Sequence, residues 1–333
     1  MVLESVVKHY IQEISDDPKR GIRKLVDLGQ QNTRGGFRAS FLRFSRDLLR
    51  DEESPYYILV QNAAERIDSQ ILQRICINFG YNSWTKGAGL LRQTRQEKGA
   101  VLPWNITIHL DEDMTGHRGL QWCRDLIAAG EEQGIYSYSL FTGHGFRSWE
   151  ALYGLLASVP DCGIFLFLPA QDAGWEREAL LRLRNTVLLV DFASDSWAEQ
   201  LGRFCESGCM CGLYRRYRSP ADGAEIVSGR WLEQTAGYAI PCAIALAAPD
   251  APEELCGQVR EYVLQARENP KTPTVLVDYY SDFASISEVI VGRPAFLGIG
   301  ADGRVTTSDG WRELPADKQF DFAQSRTLLM QGV

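Results

Sequence analysis

NITIHLD, residues 105–111, alternates strictly between apolar and polar side chains, as a half-buried strand does. Similar short apolar runs follow it, separated by helical stretches of about 10–15 residues. These runs are IYSYSLF (135–141), GIFLFLP (163–169), TVLLVDF (186–192), CMCGLYRRY (209–217), PCAIALA (241–247) and TVLVDYY (274–280). Strands that alternate with helices predict βαβ units and a parallel sheet. Six or seven consecutive units favour a TIM-like (β/α)6-7 barrel, partial or closed, over a doubly wound sheet, and no GxGxxG follows the first run.

The chain is predicted to have three parts. Apolar residues at helical spacing make residues 1–100 an α-helical N-terminal leader, with helices near 2–14, 21–31, 37–49 and 68–79. Residues 101–292 form the α/β barrel. Residues 293–333 form a small C-terminal extension, in which FLGIGADGRVTT (296–307) predicts a β-hairpin that turns at Asp302-Gly303.

Composition and charge exclude several classes of protein. Hydrophobic residues make up 45% and charged residues 23% of the 333 residues, which excludes a disordered, collagen-like or coiled-coil chain. No run approaches the ~18–20 apolar residues of a membrane span. The N-terminus carries Glu4 and Lys8 and lacks a signal-peptide core. The net charge of −8 argues against a nucleic-acid-binding protein. We therefore expect a cytoplasmic protein that does not associate with membranes.

The basic charge is concentrated between Pro18 and Arg50, where only Asp27 and Asp47 oppose it. The basic residues are Lys19, Arg20, Arg23, Lys24, Arg34, Arg38, Arg43, Arg46 and Arg50. Such a segment is either a patch for phosphate or an acidic partner, or a solvated helical face that docks on the chain's own acidic body.

Polar and ionisable residues follow several predicted strands. In a parallel barrel the carboxyl ends of the strands meet at one face, where functional groups collect. The candidate pocket or ligand residues are His109, Asp111, His144, Asp191, Arg215 and Asp278. Carboxylates and imidazoles that converge there could bind a divalent metal or perform acid–base chemistry. The alternative is a polar rim without a ligand.

Several motifs resemble those of radical SAM proteins of the SPASM type. Leu102-Pro103-Trp104 precedes the first strand as an Ile-Pro-Trp does in that family, and EEQGIY (131–136) resembles its approach to strand two. VLVDYYSD (275–282) resembles the strand before the extension, and GRPAFLGIGADGRV (292–305) resembles the family's hairpin. The resemblance implies a helical leader, a barrel and a SPASM-like extension.

The cofactor motifs of that family are missing. Radical SAM enzymes hold a [4Fe–4S] cluster on a CxxxCxxC motif after strand one, but residues 111–117 read DEDMTGH. The GGEP that engages SAM after strand two is replaced by Thr142-Gly143-His144-Gly145. The extension has Thr306-Thr307-Ser308 where a cysteine is usual. We expect no cofactor, and in particular neither an iron–sulfur cluster nor S-adenosylmethionine.

Eight cysteines are scattered along the chain and do not form a disulfide framework, which favours a reducing compartment. Three of them, Cys205, Cys209 and Cys211, are closely spaced where strand five begins. They are either buried free thiols or, as an alternative, the ligands of a displaced cluster. We otherwise expect no metal.

The sequence favours a radical-SAM-like pseudoenzyme that acts as a binding or partner subunit. Its partner would be an active radical SAM enzyme, or a peptide or small molecule. One alternative is an enzyme that holds a different metal on His109, Asp111, His144, Asp191 and Asp278. Another is a protein with a displaced cluster at the three cysteines. The sequence names no substrate.

Overall fold

The computed structural model describes residues 2–31, 51, 53–110, 120–143, 145–170, 177–300, 305–307 and 310–312. The chain divides into two compact units. The first unit comprises Met1–Gln73 and Leu188–Asp282, and the second comprises Arg74–Val187 and Phe283–Val333. The domain boundaries predicted from the sequence, at residues 100 and 292, do not coincide with the boundaries of these two units. The three predicted domains stay a prediction.

The first unit begins with a group of helices. They are α1 (Val2–Asp16), α2 (Pro18–Gln31), α3 (Pro55–Arg66) and the start of α4 (Ser69–Ile75). Ile14, Ile22 and Tyr57 form their small apolar core. Helix α2 begins at Pro18, three residues before the predicted start, because proline suits the first turn of a helix. Most of the predicted helix at 37–49 lies outside the described residues.

Part of the basic segment contacts this helical group itself. Lys24 Nζ lies 2.7 Å from Glu13 Oε1, and Arg23 Nε donates a hydrogen bond of 3.0 Å to the Tyr57 hydroxyl. These contacts fit the expectation of a helical face that docks on the chain's own groups. Arg34, Arg38, Arg43, Arg46 and Arg50 lie outside the described residues.

The sheet of the first unit is parallel. Its strands are β4 (Thr186–Asp191), β5 (Cys211–Tyr217), β6 (Cys242–Ala247) and β7 (Val275–Asp278), paired in that order. Its helices are α9 (Trp197–Glu206), α10 (Pro220–Val227), α11 (Arg230–Glu233), a 3-10 turn (Ala236–Tyr238) and α12 (Glu253–Glu268). The helix predicted over 224–236 is thus divided in two. Gly229 separates α10 from α11 with a φ of 72°, which glycine adopts without strain.

The second unit holds the other strands. Its helical elements are a π-helix (Cys76–Gly87), α5 (Ala88–Lys98), α6 (Gln121–Gln133), α7 (Trp149–Ser158), α8 (Arg177–Leu180) and most of α13 (Tyr279–Val291). Its strands are β1 (Asn105–Leu110), β2 (Ser137–Thr142), β3 (Gly163–Phe167), β8 (Leu297–Ile299), β9 (Val305–Thr307) and β10 (Gly310–Arg312). Strands β8, β1, β2 and β3 are parallel neighbours, and β8, β9 and β10 pair antiparallel. The two strands of the predicted hairpin are therefore present, and β8 extends the parallel sheet beside β1. The predicted turn at Asp302-Gly303 lies outside the described residues.

The α/β class and the mostly parallel strands are confirmed, and none of the described helices is long and apolar enough to cross a membrane. Two element boundaries differ from the prediction. Tyr279 and Tyr280 begin α13 instead of ending β7, because Asp278 accepts a hydrogen bond from Ser281 N and so opens a helix. The helix predicted to end at residue 79 continues as the π-helix through Gly87.

Candidate functional site

The register of β1, β2 and β3 places five side chains and Gly163 on one face of the second unit's sheet. Asn105 of β1 is the register partner of Ser137 in β2, which is in turn the partner of Gly163 in β3. His109, Phe141 and Phe167 are paired across the same three strands in the same way. We call the face that carries these six residues the inner face. The opposite face is turned toward α6, because the Tyr138 hydroxyl donates a hydrogen bond of 3.1 Å to the Ile127 carbonyl of that helix. The inner face is thus the one that α6 leaves uncovered.

Three aromatic rings stack at the carboxyl end of the inner face. The imidazole of His109 lies 4.8 Å from the Phe141 ring, and the planes are 17° apart. Phe141 in turn lies 3.9 Å from the Phe167 ring, with planes 15° apart. Phe141 and Phe167 are buried, whereas His109 is half-buried at the end of the row. We call these three residues the ring stack.

A buried polar network lies on the same face, toward the amino ends of the strands. Asn105 Nδ2 donates a hydrogen bond of 2.7 Å to Ser137 Oγ, and Ser139 Oγ donates one of 3.1 Å to Asn105 Oδ1. All three residues are buried. Because these polar groups satisfy one another, they can remain in the core without the penalty of an unpaired buried group.

The π-helix closes the amino end of the inner face. The Phe79 ring stands over Gly163, where a Cβ atom would lie 2.7 Å from the ring, and it packs 4.8 Å from the Phe165 ring. Asn78 Nδ2 donates to the carbonyls of Pro160 and Cys162, at 2.9 and 2.8 Å. This end of the face is therefore filled, and the half-buried His109 marks its opposite end.

In the first unit, Asp191 ends β4 and supports the loop that follows. Its Oδ1 accepts a hydrogen bond of 2.9 Å from Ala193 N. It is paired in register with Tyr214 of β5. Burial and the Asp191 carboxylate together raise the pKa of Tyr214 well above its ordinary value. Asp191 thus has a structural role, in addition to its place at a strand end.

Arg215 is held by two contacts. It forms an ion pair with Glu225 of α10, and its guanidinium lies 5.2 Å from the Phe192 ring centroid. Its Nε is buried without a hydrogen-bond partner. Burial lowers the pKa of Arg215 because desolvation disfavours the charged form. The ion pair directs this side chain toward α10.

Asp278 ends β7 as a buried carboxylate. It accepts hydrogen bonds from Ser281 N at 3.3 Å and from Ser281 Oγ at 3.1 Å. Burial raises the pKa of Asp278 above the usual value, against the lowering effect of the Ser281 hydrogen bonds. The backbone N–H of Asp278 donates to Asp282, which pairs with Arg267 through two oxygens at 2.9 and 3.1 Å.

The three predicted site residues of the first unit's sheet do not lie on a single face. Arg215 and Asp278 are both paired in register with Ala245 and so share one face of the first unit's sheet. Asp191 lies on the other face, since its register partner is Tyr214. His109 belongs to the second unit, and Asp111 and His144 lie outside the described residues. The predicted pocket of six residues stays a prediction.

The three clustered cysteines lie at the start of β5. Cys205 Sγ, at the end of α9, is 3.5 Å from Cys211 Sγ. Burial raises the pKa of the Cys209 thiol to about 11. Among the residues that the structure describes, no three histidine, cysteine or acidic side chains are grouped so that they could hold a metal ion.

The described inner-face residues at the ends of β1 and β2 include no thiolate ligand for a [4Fe–4S] cluster. The last inner-face residues of these strands, His109 and Phe141, are a stacked ring pair, not thiolate ligands. The described thiols closest to one another lie instead at the amino end of β5.

Sequence analysis missed two members of the ring stack and the buried network. Phe141 and Phe167 are apolar strand residues, and nothing in their type distinguishes them from core residues. The two-residue period of β1 does place Asn105 and His109 on one face. Only the register between strands shows which rings lie beside His109.

No protein-family model matches the chain, and neither does any curated protein.

Proposed function

We propose that this protein is a binding protein, a radical-SAM-like barrel without radical chemistry whose ring stack contacts a partner. The partner proposed is an aromatic side chain of a peptide or of another protein, and an active radical SAM enzyme is one candidate. The proposal includes a partial or closed TIM-like barrel and a cytoplasmic location, where the eight cysteines remain thiols.

The ring stack is the observation that carries the proposal. His109 is the half-buried member of a row of rings whose other two described members are buried, so packing restricts its orientation before a partner arrives. A fixed ring costs little conformational entropy when it binds. Stacking on a second ring contributes about 0.5–1.5 kcal/mol beyond the burial of area. An aromatic side chain is therefore the group that this surface suits best.

The described ionisable groups at the strand ends support binding over catalysis. Asp191 bonds the loop after β4, Arg215 pairs with Glu225, and Asp278 starts α13 through Ser281. Each of these contacts stabilises the fold locally. Catalytic groups must instead be directed toward a reacting atom. The register adds that Asp191 does not share a face with Arg215 and Asp278.

Histidine NMR tests the proposal directly. The chain has four histidines, so the imidazole signals of protein labelled with carbon-13 histidine can be assigned by single substitutions. The probes are N-acetyl-tryptophan amide for an aromatic side chain, N-acetyl-leucine amide as the aliphatic control, Zn²⁺ and SAM. We expect tryptophan amide to shift the His109 ring protons in a saturable way, whereas leucine amide, Zn²⁺ and SAM leave them in place.

Each other outcome contradicts the proposal. A His109 signal that no aromatic probe moves would exclude a ring-binding surface. A shift or loss of signal with Zn²⁺, accompanied by a higher melting temperature, would favour the alternative enzyme that holds a metal at His109. Saturable binding of SAM at His109 would favour retained SAM chemistry.

A further inference from the structure

Two thiols of the first unit are already in contact without being bonded. Cys205 lies in the last turn of α9, and Cys211 is the first residue of β5. Their Sγ atoms are 3.5 Å apart. A disulfide holds its two sulfurs about 2 Å apart, so these sulfurs must approach by about 1.5 Å to reach bonding distance.

The environments of the two thiols differ in a way that assigns them different roles. Cys205 is half-buried and lies where solvent can reach it, whereas Cys211 is 2% exposed. The neighbouring Cys211 thiol, within hydrogen-bond distance, lowers the pKa of Cys205, and the charge of Arg66 lowers it further. The thiolate is the reactive form of cysteine, so Cys205 is the thiol that meets an external reagent first.

The contact with Cys205, and not the pKa, distinguishes Cys211 from the other thiols nearby. Burial raises the pKa of Cys209 to about 11 and that of Cys242 to about 12, and the Cys205 sulfur together with burial raises the pKa of Cys211 as well. Cys205 Sγ also lies 3.3 Å from the Tyr238 carbonyl, so the polypeptide holds it beside Cys211 from two sides. The geometry therefore selects one pair from the group.

We infer that Cys205 and Cys211 form a reversible disulfide when the protein meets a low-molecular-weight disulfide such as oxidised glutathione. The Cys205 thiolate attacks one glutathione sulfur, breaks the S–S bond and releases one glutathione thiolate. The Cys211 thiol then loses its proton and attacks Cys205 Sγ, releasing the second glutathione. The two protein thiols lose two electrons and two protons, and one oxidised glutathione becomes two reduced ones.

The disulfide would act where an N-terminal helix meets the sheet of the same unit. The turn between Cys205 and Cys211 contains Gly208, whose φ is 72°. Its carbonyl accepts a hydrogen bond of 2.8 Å from Asp68 N, just before α4. A covalent link across this turn fixes the position of the Gly208 carbonyl, so we expect oxidation to slow hydrogen exchange at the Asp68 amide.

Thiol counting and peptide mapping test this inference in the full chain. The reduced protein has eight thiols that alkylate after denaturation, and the protein treated with oxidised glutathione should have two fewer, with reversal by dithiothreitol. Cleavage after Arg203 and Arg215 releases residues 204–215, which hold Cys205, Cys209 and Cys211. A further cut after Glu206 should then leave two fragments joined by the disulfide, and their fragment ions identify the second cysteine.

Variants provide the matched comparison. Cys205→Ser and Cys211→Ser should each abolish the loss of two thiols, whereas Cys209→Ser, two residues from Cys211, should retain it. Retention of all eight thiols in the wild-type chain overturns the inference. A product that stops as glutathione on Cys205, or a link from Cys205 to Cys209, overturns it equally, and the mapping needs no variant to reveal either.

Discussion

The imidazole of His109 stacks on the ring of Phe141, at 4.8 Å between centroids and 17° between planes. The two residues are register partners at the carboxyl ends of β1 and β2, so the backbone pairing of the strands fixes the position of both rings. Phe167 continues the row on β3. The sheet therefore orients His109 as the half-buried member of the ring stack.

The stack can be probed through the ring current of Phe141. Phe141→Leu removes that ring, so the His109 ring protons should move downfield, and stability should fall by about 1–3 kcal/mol from lost packing. Binding of the tryptophan probe should weaken. The measurements are histidine NMR and urea unfolding. Phe146→Leu is the control, because Phe146 packs on Trp149 and should lower stability without moving His109. An unmoved His109 signal in Phe141→Leu would contradict the stack.

Gly163 should be intolerant of a side chain. Its Cβ would meet the Phe79 ring at 2.7 Å, and that ring is buried against Phe165. Gly163→Ala should therefore reduce the free energy of unfolding by about 1–3 kcal/mol. Gly154→Ala, in α7 with no atom within 4 Å of the added carbon, should be neutral or stabilising by up to about 1 kcal/mol. Equal effects in urea unfolding would show that Phe79 does not cover Gly163.

Asn78 connects the π-helix to the turn before β3. Asn78→Ala removes three hydrogen bonds: two donated to the carbonyls of Pro160 and Cys162, and one accepted from Asn82 Nδ2. The change should cost about 1–3 kcal/mol in the free energy of unfolding. Gln93→Ala removes the exposed hydrogen bond to Glu97, 2.8 Å long, and should change stability by less than about 0.5 kcal/mol. If chemical denaturation finds the two variants alike, this attachment of the π-helix does not contribute to stability.

Asp278 should make the stability of the protein decrease as the pH rises. Burial raises its pKa in the folded state, so the native protein binds this proton more tightly than the unfolded chain. Stability should then fall as the pH rises from the ordinary aspartate pKa through the raised value. Asp278→Asn cannot ionise and keeps an acceptor for Ser281 N, so it should remove this fall without a loss of stability at neutral pH.

Asp222 is the control in the same measurement of unfolding free energy against pH, because its contribution to stability should increase as the pH rises. Hydrogen bonds from the backbone N–H groups of Ser219 and Arg218 lower its pKa, so it stabilises the fold above the ordinary aspartate pKa and less as the pH falls. Asp222→Asn should therefore lose stability at neutral pH. Parallel pH profiles for Asp278→Asn and the wild type would contradict the assignment for Asp278.

Much of the fold could be predicted because periodicity distinguishes strands from helices. NITIHLD and TVLLVDF correspond to β1 and β4 within a residue at each end. The π-helix could not be predicted, because its hydrogen-bond spacing leaves no simple apolar period, and it depends on contacts such as Asn78 with a turn 82 residues away.

The candidate site could be predicted only in part, because strand register is a long-range property. The strand ends were identified from sequence, yet the face on which each side chain lies depends on pairing. Arg215 and Asp278 share one face, since both are register partners of Ala245, and Asp191 lies on the opposite face. Prediction of the ring stack requires the register of three strands that are far apart in the sequence. No single stretch of sequence contains that information.

Anaerobic reconstitution with ferrous iron, sulfide and SAM tests most directly the proposed absence of cluster chemistry. We expect a colourless protein without broad absorbance near ~400 nm, with no stoichiometric iron and no cleavage of SAM. About four irons per chain, with that absorbance and with SAM cleaved to 5′-deoxyadenosine, would contradict it. Loss of the iron in Cys209→Ala or Cys211→Ala would then place a displaced cluster at the start of β5.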